Sequence, residues 1–456
     1  MTASSGRRPR ILYLAFYFPP SRASGVFRAL ATANHLAAAD WDVTVLTAPA
    51  DFFPRFLGAG STDPDLAATV DPRVTVSRPP MNTYRWKRDL RSYGAFRANL
   101  PVLTNAFYNW TQRHLFPEHY AGWLPGVISQ AVRRHAVRPF DLVLATGNPF
   151  ASFAAAWALG RMLHVPYVLD YRDAWTFNQF TEQPKFPPGS NAYAWEERVL
   201  RDAAEVVFVN DGMRRHLAGQ YPFAADRMTV VPNGWEPEIL AAEPATEPGT
   251  EPASGRDDPS ASDRPLRFGY VGTVTDHLPL EELFAGWRRA RAGHPLLADA
   301  TLDIHGHLGF FPHDADRLRD RLPLAEPGLG VFYRGPVPKP RIGEAYRALD
   351  ALVFCVPGAR FVTSGKVFEY MATGKPVVSV HHPEIAAAEV LEGYPLHFGG
   401  TGLDADSVAD SFVSAAKAAR DADAAARAAA RAHAEQWTRQ AVLTPWEQRL
   451  RALATG

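Results

Sequence analysis

A polar stretch over residues 236–265, built of Glu-Pro repeats with Gly, Ser and Asp and little apolar content, constrains this chain more than any other feature. Such a composition cannot bury enough apolar surface to order itself, so it reads as a linker. On both sides of it, short continuous apolar runs alternate with segments of helical period. Runs of roughly four to eight apolar residues suit parallel strands covered on both faces, with right-handed helical crossovers between them. The expectation is an α/β protein with two doubly wound domains facing each other across a cleft at the C-terminal ends of their strands, where such sheets bind ligands. The predicted boundaries are 1–235 for the first domain, 236–265 for the linker and 266–435 for the second. A C-terminal helix over 436–456 is expected to pack back on the first domain.

In the first half the predicted strands are Ile11–Phe18, Asp42–Thr47, Val74–Ser77, Leu142–Thr146, Tyr167–Asp170, Val206–Asn210 and Met228–Pro232. Residues 51–125 read as irregular and rich in aromatics, with only the short strand at Val74–Ser77 inside them. In the second half the strands are Arg267–Val271, Thr301–His305, Val331–Arg334, Ala351–Val356 and Pro376–Ser379, and a helix over Gly365–Thr373 precedes the last of these. The length of 456 residues suits two domains of roughly 200 residues each.

Composition excludes several classes. The lone cysteine, Cys355, rules out a disulfide framework and a cysteine-based zinc site, and its apolar neighbours predict an inert core thiol. No apolar stretch reaches about 18 residues and no cleavage site follows the basic N-terminus, so neither a span nor a signal peptide is read. The expected location is the cytoplasm. Net charge is zero overall, yet Arg78, Arg85, Lys87, Arg88, Arg91 and Arg97 face only Asp89, interleaved with Tyr84, Trp86, Tyr93 and Phe96. Residues 78–97 are either a solvated basic helix face or a contact for a phosphorylated acceptor or an anionic membrane at the inner face. The rest of the chain has no basic stripe, so nucleic acid is not a partner.

The most informative run is Thr363-Ser-Gly-Lys-Val-Phe-Glu-Tyr-Met-Ala-Thr-Gly-Lys-Pro376. It follows a strand and opens a helix whose first-turn amides suit a diphosphate. Thr363, Ser364 and Gly365 let a phosphate approach closely, and Lys366 adds a full charge. Glu369 falls on the face of Lys366, where it is able to accept from two ribose hydroxyls. Gly374 ends the helix and Pro376 prevents its continuation. Taken on pattern alone, a capped helix with a surface Lys/Glu pair satisfies the same residues.

This run resembles the donor-site signature of glycosyltransferase family 4, in the branch that reads Ser/Gly-Lys-x-Phe-Glu-Tyr-Met-Ala. The resemblance implies the GT-B fold, with two Rossmann-like domains, and transfer of a sugar with retention of configuration and without a metal. It further implies a nucleoside diphosphate-sugar, UDP- or GDP-linked, as substrate rather than cofactor. By resemblance Glu369 takes the ribose and Thr363, Ser364, Gly365 and Lys366 take the phosphates. Gly272, Thr273 and Gly306 line the same donor region, and Arg334 lies at the strand end that holds the base. Tyr17-Phe-Pro-Pro-Ser-Arg-Ala-Ser-Gly-Val-Phe-Arg28 is similar to the family's N-terminal loop, which places Arg22, Gly25 and Arg28 on the acceptor side, where Arg28 either faces a phosphate or caps a neighbouring element. Asn148, in Ala145-Thr-Gly-Asn-Pro149, joins them. In Asp170-Tyr-Arg-Asp173 one carboxylate orients an acceptor hydroxyl and Arg172 pairs with another, so that Asp173, Arg172 and Lys366 are the catalytic candidates. A purely structural Asp/Arg pair is the alternative.

The sequence also departs from the family. Phe361 stands where many members carry a second glutamate, Thr273 stands where an arginine follows the glycine, and 274–280 holds neither Lys nor Arg. Neutralising a diphosphate then falls to Lys366, backbone amides and Arg22, Arg28 or Arg360. The acceptor is either a lipid-linked bacterial glycan or a small-molecule natural product. The competing reading is a non-catalytic GT-B protein that binds a sugar nucleotide or a partner. Asp-Ala-Asp at 314–316, 404–406 and 421–423 and the His305/His307 and His381/His382 pairs lack metal-ligand context, and no Gly-x-Gly-x-x-Gly or Walker loop is present.

Overall fold

A computed structural model describes residues 7–87, 89–241, 264–309, 314–338, 341–356, 358 and 360–456. Arg88 and most of the predicted linker lie outside the described residues. The chain divides into two compact units, one comprising residues up to Pro232 together with Leu443–Gly456, the other Asn233–Val442.

Unit 1 is built on a seven-stranded, all-parallel sheet. Its strands are β1 (Arg10–Leu14), β2 (Asp42–Leu46), β3 (Thr75–Ser77), β4 (Leu142–Gly147), β5 (Tyr167–Tyr171), β6 (Glu205–Phe208) and β7 (Met228–Val230). Their order is β3-β2-β1-β4-β5-β6-β7. Every residue of β1, β4 and β5 is buried, as expected of central strands covered on both faces. The order reverses between β1 and β4, which makes their C-terminal edge the switch point of this sheet. Leu443–Gly456, most of it the later part of the last helix (Arg439–Thr455), completes the unit. Trp446 and Leu450 are buried there, and the Trp41 indole donates to Glu447 at 2.7 Å.

The aromatic-rich region is not irregular. It contains helices Phe52–Leu57, Pro64–Ala68, Ala95–Asn99 and Pro101–His114. The longest of these buries only Thr104, so its apolar residues do not trace the inward stripe by which a surface helix is normally read.

Unit 2 carries a six-stranded parallel sheet in the order β10-β9-β8-β11-β12-β13. The strands are β8 (Arg267–Val271), β9 (Thr301–His305), β10 (Val331–Gly335), β11 (Ala351–Cys355), β12 (Val377–Val380) and β13 (His397–Gly399). Side chains of β11 alternate between two cores. Leu352 and Phe354 join Tyr346, Phe368 and Met371, whereas Val353 and Cys355 join Phe268, Trp287 and Phe412. The switch point lies between β8 and β11, which pair through only Ala351↔Phe268 and Leu352↔Gly269.

Candidate functional site

The Thr363–Pro376 run occupies the switch point of unit 2. β11 is followed by helix Lys366–Ala372, one residue shorter at each end than predicted and capped at Gly365. Gly374 ends it in the left-handed region (φ 67°), a conformation glycine adopts without a Cβ penalty. Because β8 and β11 diverge after two residue pairs, the end of β8 lacks a neighbour on that side. Tyr370 fills the gap: its hydroxyl accepts from Val271 N at 2.9 Å and donates to Val271 O at 3.1 Å. This ties the helix carrying Lys366 and Glu369 to the strand that leads into Gly272.

Glu369 is buried and its Oε2 is held by two groups. Lys366 Nζ lies at 3.3 Å and the Tyr346 hydroxyl donates a short hydrogen bond. Burial, reinforced by the Glu369 charge, pushes the Tyr346 phenol well above its ordinary value, so it stays a donor. Thr363 is also buried, with an Oγ1 that has no partner, and Ser364 Oγ accepts from Lys366 N at 3.3 Å. A Cβ built on Gly365 would meet no atom within 4 Å. The protein's own packing therefore does not demand a glycine there, and the space above the first turn is open.

Gly272, Thr273 and Gly306 gather beside this segment. Gly272 N donates to His305 O at 2.8 Å and Gly306 N to Gly335 O at 2.9 Å. Gly306 has φ 145°, and a Cβ on it would fall 1.8 Å from Gly272 O, so these two loops approach as closely as backbone allows. Thr273 contributes its carbonyl, which accepts from Tyr270 at 2.9 Å. Arg334 is engaged elsewhere: its Nε donates to Asp303 at 2.9 Å, and Arg267 joins the same carboxylate at 2.8 Å. Asp303 is fully buried and needs this compensation, so the Arg334 charge is committed within the sheet.

In unit 1 the residues predicted for the acceptor side collect at the C-terminal ends of β1, β4 and β5, but their charges are largely satisfied by one another. Arg28 is buried and forms a bidentate pair with Asp170, with Nη2 to Oδ1 at 2.8 Å and Nε to Oδ2 at 2.9 Å. It also donates to Val231 O at 2.9 Å and Pro232 O at 3.2 Å. Of the two roles open to Arg28 from its sequence, facing a phosphate or capping a neighbouring element, the second is the one its hydrogen bonds here fill. Arg172 Nη2 reaches Asp173 Oδ2 at 3.0 Å, and Gly25 makes room for it, because a Cβ there would sit 1.1 Å from Arg172 Nη1. Asn148 presents its carbonyl 3.5 Å from Arg172 Nη2. Arg22 is exposed and its guanidinium lies near Gly60 O at 3.4 Å.

Two further groups at this edge escaped sequence reasoning. Glu118 accepts from the backbone N–H groups of Phe150 (2.8 Å) and Ala151 (2.6 Å) at the start of helix Ala151–Leu163, and burial pushes its carboxyl up to about 7. Tyr17 and Tyr120 share a 2.8 Å hydrogen bond, and burial raises the Tyr17 phenol within reach of the Arg172, Glu118 and Asp173 charges. A lone acid among aromatics, Phe116-Pro-Glu-His-Tyr120, was the available signal. In unit 2, Tyr346 and Tyr370 were missed in the same way. His381, directly after β12, is buried with Nδ1 2.7 Å from His382 O and no partner at Nε2.

Among the described residues no three His, Cys, Asp or Glu side chains group as metal ligands would. Two of the three Asp-Ala-Asp sequences cap helices: Asp404 accepts from Asp406 N and Ser407 N, and Asp423 from Ala426 N; in the third, Asp314 pairs with Arg317 at 3.2 Å.

Comparison with known proteins finds a family match in the first unit. Residues 26–234 match the glycosyl transferase 4-like domain. The fold of the chain is GT-B, with two Rossmann-like units. A glycosyltransferase from Rickettsia africae is similar over 99% of this chain and 100% of its own, at a TM-score of 0.65 and 12% identity. Sucrose-phosphate synthase from Thermosynechococcus elongatus is similar over 98% and 99%, at 0.62 and 15%. Anabaena HepE, solved in complex with UDP-glucose, is similar over 97% and 98%, at 0.57 and 15%. No curated protein matches the chain.

Proposed function

We propose that this protein is a retaining, metal-independent glycosyltransferase that takes a UDP- or GDP-linked sugar through unit 2 and an acceptor through unit 1. The observation that carries the reading is the group formed by Thr363, Gly365, Lys366 and Glu369 at the β8/β11 switch point, with a buried unpartnered hydroxyl and open space above the helix start. The domain match over 26–234 supports glycosyl transfer as the reaction class. The UDP-glucose complex of a protein with the same fold supports a nucleotide-sugar as donor.

In this reading Glu369 binds the ribose. Tyr346 and Lys366 hold its carboxylate in place before the nucleotide arrives. Lys366, Thr363, Ser364 and the amides of the first turn meet the diphosphate, while Gly272 and Thr273 border it. The helix is seven residues long, so its dipole is small and the Lys366 charge supplies most of the stabilisation of the departing diphosphate. The C1–O bond to the diphosphate breaks as the acceptor oxygen bonds to C1 on the same face. The departing phosphate oxygen takes the acceptor's proton, so no strong protein base is required. Asp173, positioned by Arg172 and Gln179, orients the acceptor hydroxyl, with Asn148 alongside.

A second reading, a sugar-nucleotide-binding protein without turnover, is favoured by one specific observation: Phe361 and Thr273 stand where family members place a carboxylate and a cation. Release of UDP or GDP from a panel of nucleotide-sugars, followed with and without glycan acceptors, separates the two. Turnover that Lys366→Ala lowers by about a hundredfold or more supports the transferase. Tight nucleotide binding with no turnover on any donor supports the second reading.

A further inference from the structure

The 101–114 helix of unit 1 reverses the usual pattern of a surface helix. It buries only Thr104 and turns Leu103, Phe107 and Trp110 outward at 56%, 65% and 49% exposure. With His114 these recur at intervals of four, three and four residues, one stripe along the helix. The rings of Phe107 and Trp110 stack on each other with centroids 6.1 Å apart. The preceding helix, Ala95–Asn99, adds Phe96, and Leu100 follows it, both exposed. A contiguous apolar surface of this kind marks an interaction site.

Its surroundings carry one sign of charge. Between residues 78 and 117 the sequence places Arg78, Arg85, Lys87, Arg88, Arg91, Arg97 and Arg113 against Asp89 alone. The basic segment lies against the helix: Tyr84 donates to Asn105 at 3.0 Å and its ring stacks on Tyr108 at 5.2 Å. The Arg85 charge acts on Tyr108 of the helix and, together with burial, holds His119 below the ordinary histidine value. Arg85, Arg91 and Arg113 are exposed.

We propose that the face formed by Phe96, Leu100, Leu103, Phe107 and Trp110, flanked by Arg85 and Arg113, docks on an anionic lipid bilayer. The helix lies in the interface; among the described residues no helix is long and apolar enough to cross a membrane. Charge decides the occupant. A second copy would set the same cationic rim against itself, at a cost, whereas an anionic headgroup layer neutralises it, and Trp and Phe are the side chains that partition to that boundary. The docked helix also connects directly to the acceptor side. Four residues beyond it, Glu118 holds the Phe150 and Ala151 amides next to Asn148. On the transferase reading the acceptor class is then a lipid-linked one, while docking itself stands independently of that reading.

The test is flotation of the full chain with phosphatidylcholine vesicles, with and without phosphatidylglycerol. The wild type is expected to float with the anionic vesicles and to be released by salt. Phe107→Ser/Trp110→Ser should weaken binding at least about tenfold, and Arg113→Ala about fivefold. Both variants should keep the wild-type unfolding midpoint and nucleotide affinity, so that failure here is distinguishable from failure of the donor site. Absent flotation, or equal flotation of wild type and double variant, overturns the proposal. A wild-type dimer that the double variant converts to monomer overturns it too, assigning the face to a second copy.

Discussion

The switch-point edges of the two sheets are built from similar residue types and use them in opposite ways. In unit 1 the charged groups satisfy one another: Arg28 with Asp170, Arg172 with Asp173, Glu118 with two helix amides. In unit 2 the edge keeps open capacity. Thr363 Oγ1, His305 Nδ1 and His381 Nε2 are buried without partners, and Gly365 faces empty space. Buried polar atoms are normally paired, so such exceptions call for an explanation, and on the proposed function a bound nucleotide supplies one for Thr363. The lesson is that a cation at a strand end signals a ligand only when the protein has not already used it.

The comparison breaks most sharply at Arg28. Arg28→Leu leaves Asp170 buried and uncompensated, and should destabilise unit 1 by about 3–5 kcal/mol. The measurement is a denaturant midpoint; a change under about 1 kcal/mol would mean that the pair is not structural. Affinity of unit 2 for nucleotide should be unaltered. At the other extreme, Gly365→Ala has room for its methyl group and should shift stability by no more than about 0.5 kcal/mol. Should a diphosphate occupy that space, the same methyl must lower nucleotide affinity, by roughly tenfold or more. Calorimetric titration of the folded variant reads this directly, and unchanged affinity would remove Gly365 from the site.

Much of this architecture was legible because parallel strands covered on both faces are continuous apolar runs. β1, β4, β5, β8, β9 and β11 all fall within or nearly on their predicted ranges. The 51–125 region was not legible, since the 101–114 helix exposes the apolar residues by which a helix is normally recognised. At the site, the run 363–376 carried its signal through its resemblance to a known donor motif, since on spacing alone a capped helix with a Lys/Glu pair fits the same residues. What the spacing cannot convey is partnership across long separations. Arg28 meets Asp170 at a distance of 142 residues, and Arg334 meets Asp303 at 31; nothing in either local segment distinguishes a guanidinium that is spent from one that is available. Tyr346 and Tyr370 were hidden for the same reason, because each reads as core until the groups met by its hydroxyl are known.

The central claim, that the 363–369 segment grips a nucleotide, is tested most directly by titrating UDP and GDP into wild type and Glu369→Gln by calorimetry. The wild type should bind at least one of them, and the variant should bind it about 10–100-fold more weakly, the loss expected when a charged acceptor of hydroxyl hydrogen bonds becomes neutral. Equal affinity in the folded variant and the wild type would contradict it.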